Sequence, residues 1–128
     1  MSEQDKAVAD RQAAGAILEI AKGLVTKTRA GSHGDMVAQH AVAGEVWSIY
    51  LRARGKLAPG AAIDAGDVAM MMDLLKVSRE AIGAFNADNY IDGAGYWAIA
   101  GVIRANQVAQ VKAPPPPLPP NSWTGLTK

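Results

Sequence analysis

The sequence predicts an all-α protein: a four-helix antiparallel bundle followed by a proline-rich C-terminal tail. Apolar residues recur at three- and four-residue steps over four separate segments, the signature of one-sided helices. Turn residues separate those segments, with two glycines in 31–34 and Pro59-Gly60 in 55–63. Alternation of the strand kind never persists for more than a few residues.

The first helix is expected over residues 5–28, with Ala14, Ile17, Leu18, Ala21, Leu24 and Val25 on one stripe. It stops before Ala30-Gly31-Ser32-His33-Gly34-Asp35, and Asp35 is placed to cap the next helix. That second helix is expected over 36–54. Ala43, Trp47, Tyr50 and Leu51 lie on one side, with Val42, Val46 and Ile49 beside them. After the 55–63 loop, Asp64 is an N-cap with Asp67 three residues on, close to a capping box.

The third helix, expected over 65–82, carries two apolar stripes. One is Val68, Met71, Met72, Leu75 and Ile82, and the other is Met70, Leu74, Val77 and Ala81. A surface this wide predicts burial on two sides, in a central helix or an oligomer seam, so a dimer or tetramer is expected. Only Asp73, Lys76 and Glu80 form a polar strip. The fourth helix is expected over 88–107 and contains Gly93, Gly95 and Gly101. Each glycine weakens a helix by roughly 1 kcal/mol relative to alanine, so close approach of a neighbouring helix or a ligand is expected there. The chain divides into a helical domain, 1–112, and a tail, 113–128, that holds six of the seven prolines and favours polyproline II. The simpler reading of the tail is a surface arm, packing Trp123 and Leu126 on its own or a neighbouring subunit.

Composition narrows the function classes. The chain has 128 residues, 49% hydrophobic and 20% charged, within the range of one domain that buries a real core. With 13 basic against 12 acidic side chains, it lacks the basic face by which nucleic-acid binders neutralise phosphates. The absence of cysteine excludes thiolate catalysis and Cys-ligated zinc. No secretory h-region and no apolar run near the ~20 residues of a membrane span is present, so a cytoplasmic protein without membrane contact is expected.

Chemistry must then come from carboxylates and cations on helices. His33 and His40 stand seven apart, not at the spacing of helical zinc ligands, and no phosphate-binding glycine loop ends in Gly-Lys-Ser/Thr. Folding about 83–87 brings Lys76 and Arg79 to the height of residues 91–95. Folding about 55–63 brings Glu45 level with Asp73, and Gln39 and His40 level with Arg79. Glu45, Asp73, Lys76, Arg79, Asp88 and Asp92 can therefore meet in one band. Arg79 and Asp92 fall on apolar stripes, where an unpaired charge is costly, so pairing or metal binding is expected. An internal ion pair, Arg79 or Lys76 with Asp92, that only fixes register explains the same pattern. Trp47 and Tyr96 are core residues on the simpler reading and base-stacking platforms on the sharper one.

The run from Asp67 through Lys76 to Arg79, followed by Asp88-Asn-Tyr-Ile-Asp92-Gly-Ala-Gly-Tyr96, resembles a phage-borne family of small helical proteins. That family has a DVA-MM-LLK-AR segment before DN-IDIAGY. Arg29, His33-Gly34-Asp35 and Val46-Trp47-Ser48 resemble its R…YGD…LWS segments, with His33 in place of a tyrosine and Gln39 in place of an asparagine. The family in turn resembles the all-α nucleoside triphosphate pyrophosphatases of the MazG and MazZ type. Those enzymes hold Mg²⁺ or Mn²⁺ with Glu-x-x-Glu on one helix and Glu-x-x-Asp on the next. Asn89-Tyr-Ile-Asp92 falls where Glu-x-x-Asp would, with Asp88 an extra carboxylate, and Lys76-Val-Ser-Arg79 stands near the expected Glu-x-x-Glu.

The resemblance implies hydrolysis of a purine deoxynucleoside triphosphate (dGTP or dATP) to monophosphate and pyrophosphate. It implies Asp92, Asp88, Glu45 and Asp73 as metal ligands, and Lys76 and Arg79 as catalytic cations that also bind phosphate. Asn89, Trp47 and Tyr96 would contact the base. The alternatives are a non-catalytic oligomerisation or interaction module and a nucleotide-binding regulator without turnover.

Overall fold

The structure is a computed structural model and describes residues 1–26 and 35–112. The expected end of the first helix near Thr28, the Arg29 and His33-Gly34 segments, and the tail at 113–128 lie outside the described residues. Four helices and no strand are found among those described: α1 (Glu3–Thr26), α2 (Met36–Ala53), α3 (Ala65–Ile82) and α4 (Ala87–Lys112).

Local chemistry explains each start. Ser2 and Asp5 cap α1 reciprocally: Asp5 N–H donates to Ser2 Oγ at 3.1 Å, and Ser2 N–H donates to Asp5 Oδ2 at 3.3 Å. Asp35 Oδ1 accepts from Val37 N–H at 2.9 Å at the start of α2. The capping box of α3 forms as its sequence suggests. Asp67 N–H donates to Asp64 Oδ1 at 2.8 Å, and Asp64 N–H to Asp67 Oδ2 at 3.0 Å. The α2–α3 connection turns through Gly55 and Gly60, whose φ of 68° and 81° is a conformation glycine adopts without strain.

The tertiary arrangement differs from the closed bundle that the periodicity suggests. In space the order is α1–α4–α3–α2: α3 packs on α4 and on α2, and α1 packs on α4. No comparably packed face joins α1 to α2 or α3. The reason lies in which positions carry small residues. At the seams Ala21, Ala69 and Ala100 are buried beside Val68, Ile91 and Ile103, while bulkier side chains point outward. Leu74 and Val77 are each 58% exposed and Ile49 is 66% exposed. An apolar stripe read from sequence marks a surface that needs cover, not the element that supplies it.

Close approaches occur where glycine permits them. A Cβ on Gly44 would lie 2.5 Å from the carbonyl oxygen of Ile63, and one on Gly95 would lie 3.3 Å from Val25 Cγ1. Beside Gly44, Ser48 is buried. Its hydroxyl donates to Gly44 O at 2.7 Å and accepts from Ile63 N–H at 2.8 Å. This side chain ties α2 to the segment that leads into α3.

Arg104 fastens the other end of α3 to α4. Its guanidinium reaches Asp64 Oδ2 and Asp67 Oδ1, each at 2.9 Å. Gly66 makes room for it, since a Cβ there would lie 2.8 Å from Arg104 Cζ. This pairing of α4 with both acids of a capping box has no trace in local sequence pattern.

Candidate functional site

The antiparallel α3–α4 pair forms the site. Lys76 is mostly buried in the seam, and its Nζ lies 2.8 Å from Asp92 Oδ2. The register expected from folding about 83–87 is therefore the register formed. Two grooves meet at this seam, and Lys76 and Asn89 line both.

The groove at the turn has a volume of about 490 Å³ and gathers Lys76, Arg79, Asp88, Asn89 and Asp92. Arg79 is exposed here rather than buried, because the stripe it shares with Leu75 and Ile82 is itself open: Ile82 is 92% exposed. Asp88 begins α4, its N–H donating to Asn86 Oδ1 at 3.0 Å. The expected pairing of Asp92 is with Lys76 and not with Arg79. Two cations and two carboxylates thus face one concavity, with Arg79 and Asp88 outside any ion pair among the described residues.

The groove on the other side of the seam, about 560 Å³, is more apolar. Leu18 of α1, Val77, Ala94 and Trp97 form its walls, and Asp73, Lys76, Glu80, Asn89 and Tyr90 supply its polar atoms. Gly93 admits Asp73, whose Oδ1 lies 2.9 Å from where a Cβ would stand. Hydrogen bonding to the Glu80 carboxylate raises the Tyr90 phenol above its ordinary value, with smaller contributions from burial and charge. Glu80 Oε2, by contrast, is enclosed and has no hydrogen-bond partner.

Of the residues singled out by sequence, Asp73, Lys76, Arg79, Asp88, Asn89 and Asp92 come together on these two grooves. Glu45, Trp47 and Tyr96 do not join them. Gly44 and Ser48 turn toward 61–64, and Glu45 is left exposed on α2. Trp47 is half-buried on the same helix. Tyr96 faces His40, with ring centroids 6.3 Å apart, and lines a smaller concavity of about 130 Å³ between α1 and α4. Sequence reasoning passed over Trp97 and gave Glu80 no role. Both signals were present: Glu80 completes the polar strip with Asp73 and Lys76, and Trp97 follows Gly93 by one turn and so shares its face.

The donor set is hard oxygen, suited to Mg²⁺ or Mn²⁺. Among the described residues no three of His, Asp and Glu cluster closely enough to hold a metal by themselves. This fits an ion that arrives on substrate phosphates and takes one or two protein carboxylates, the usual habit of Mg²⁺. Asp88 and Asp92 share a groove with the phosphate-binding groups Lys76 and Arg79, and are placed to do so.

The fold and site define a class: an all-helical protein with a cation- and carboxylate-lined groove between two antiparallel helices. Residues 16–104 match the family described as Domain of unknown function (DUF6378), and the chain belongs to that family. The Gene 55 protein of Mycobacterium phage L5 is 31% identical over 110 residues, which cover 86% of this chain and 63% of that protein. The chain thus spans less than two thirds of the length of this phage relative. No solved structure matches. No helix among the described residues is long and apolar enough to cross a membrane.

Proposed function

We propose that the chain is a metal-dependent nucleoside triphosphate pyrophosphohydrolase of the MazG-like kind. Its substrate is a purine deoxynucleoside triphosphate, dGTP or dATP, converted with one water to the monophosphate and pyrophosphate. The observation that carries this reading is the meeting of Lys76, Arg79, Asp88, Asn89 and Asp92 around one groove at the α3–α4 turn. Cations aimed at a concavity bind phosphate, and carboxylates beside them would otherwise repel it. A bound divalent ion supplies charge neutralisation and a more acidic water. Lys76 and Arg79 stabilise the charge that builds on the departing pyrophosphate. Asp88 and Asp92 hold the ion on the phosphates, and Asn89, lining both grooves, contacts the nucleoside.

The same reading takes the protein to be a homo-oligomer, a dimer or tetramer, in the host-cell cytoplasm of a phage. A single layer of helices with Leu74, Val77 and Ile49 exposed calls for a second layer. The decisive experiment is pyrophosphate release from each common deoxynucleoside triphosphate with Mg²⁺ or Mn²⁺. Wild type should turn over a purine nucleotide, and Asp92→Ala should abolish turnover. Metal-loaded, folded protein that releases no pyrophosphate from any of them refutes the proposal.

The Lys76–Asp92 ion pair favours a second reading, a non-catalytic helical module in which these charges only hold α3 to α4. On that reading nucleotide and metal leave the melting temperature unchanged. A nucleotide-binding regulator would show a thermal shift without product.

A further inference from the structure

Glu80 is the polar group on these helices whose environment is least satisfied. It stands one turn after Lys76, a spacing at which glutamate and lysine readily pair on a helix. Here Lys76 turns instead across the seam to Asp92 at 2.8 Å. Oε2 of Glu80 is consequently enclosed with no hydrogen-bond partner among the described residues. An enclosed carboxylate oxygen without a donor is costly, and such a group is satisfied by whatever fills the space beside it.

The space is the 560 Å³ groove, and its walls say what fills it. Leu18, Val77 and Ala94 are apolar, and Trp97, 63% exposed, offers an aromatic surface with little else to cover it. A planar heteroaromatic ring fits such a slot, stacked on the indole. The edge it presents to Glu80 must donate, because an ionised carboxylate only accepts. Two adjacent N–H donors match its two oxygens best. Guanine presents N1–H beside its N2 amino group. Adenine and cytosine each place a ring-nitrogen acceptor beside the amino group, and thymine flanks its one N–H with carbonyl oxygens.

We propose that Glu80 reads the N1–H and N2-amino edge of a guanine base held against Trp97, so that this groove selects guanine over adenine. The inference rests on the nucleotide reading above and deepens it by naming the base and the residues that recognise it. Asn89, which lines both grooves, joins the base slot to the phosphate-binding end.

The test is direct titration of the full chain with dGMP, dIMP and dAMP, so that its readout does not depend on turnover. Wild type should bind dGMP about tenfold or more tighter than dAMP, since a site built to hydrogen-bond a base discriminates strongly against one that lacks the partner. Binding of dIMP, which keeps N1–H and loses the amino group, should fall between. Glu80→Gln should bring dGMP close to dAMP while dAMP binding stays within about threefold of wild type, because a neutral amide offers one acceptor in place of two. Trp97→Ala, at an exposed position, should weaken both nucleotides alike. Circular dichroism melts of both variants show whether they fold. Equal affinity for dGMP and dAMP in wild type, or a guanine preference that survives in Glu80→Gln, overturns the proposal. If pyrophosphate is released from triphosphates without base preference, the guanine reading falls and the hydrolase stands. If neither monophosphates nor triphosphates bind, both fall.

Discussion

Gly44 offers the sharpest test of how α2 meets α3. In Gly44→Ala the new methyl would stand 2.5 Å from Ile63 O and 3.3 Å from the carbonyl carbons of Ile63 and Asp64. None of these atoms is the end of a flexible side chain. Ile63 is held by its N–H bond to Ser48 Oγ at 2.8 Å, and Asp64 is the N-cap of α3, so neither can withdraw without loosening a hydrogen bond. Forcing an extra methyl into a packed contact costs about 1–3 kcal/mol, and the rigid partner places this case in the upper half of that range. Against it, alanine recovers about 0.8–1.0 kcal/mol of helix propensity. The net is a loss of about 1–2 kcal/mol, or roughly 5–15 °C in melting temperature for a domain of this size. Urea denaturation followed by far-ultraviolet circular dichroism measures it. The matched control is Gly101→Ala on α4, where a Cβ meets nothing within 4 Å. Only the propensity gain remains there, so stability should rise by about 1 kcal/mol. A Gly44→Ala protein at least as stable as wild type would refute the packing described for α2.

Other outcomes follow from the same geometry. Burial works against the Asp64 carboxylate, but the Asp67 N–H, Arg104 and Gln107 together outweigh it and hold its pKa below the usual value. A depressed folded value means the stabilisation is present above the unfolded pKa, about 3.9, and disappears as pH falls through the folded value. Arg104→Gln should therefore lower the melting temperature at neutral pH and flatten its acid dependence. Because the pair is half exposed, the loss should be only about 1 kcal/mol. Gly93→Ala should displace Asp73, whose Oδ1 would lie 2.9 Å from the new methyl, and reduce metal-dependent turnover more than stability. Sub-saturating nucleotide with Mn²⁺ should raise the melting temperature, by an amount equivalent to about 2.7 kcal/mol at a hundred times the dissociation constant, and Asp92→Ala should lose this response. If the exposed faces of α3 and α2 are covered by another copy, the melting temperature should also climb with protein concentration.

Much of the site was legible because it is written in helical spacing. Asp73, Lys76 and Glu80 share a strip, and antiparallel pairing about 83–87 carries Lys76 to Asp92. What spacing could not tell was which of two adjacent residues turns inward. Glu45 yields that position to Gly44 because the 61–64 segment presses on α2 there, and Tyr96 turns to His40 while its neighbour Trp97 opens to the groove. Each pair differs by one residue, and one residue is a rotation of about 100° around the helix.

By itself, the sequence determined four helices, their caps and the antiparallel register of the last two. These are local properties, set by apolar periodicity, side-chain hydrogen bonds to nearby N–H groups and a short turn. Only the tertiary structure decided that the helices form an open row, that Arg104 ties α4 to Asp64 and Asp67, and that Glu80 is left without a donor. Those outcomes depend on which faces meet across tens of residues, where small side chains at the seams and steric limits of a few tenths of an ångström choose between arrangements that periodicity treats alike.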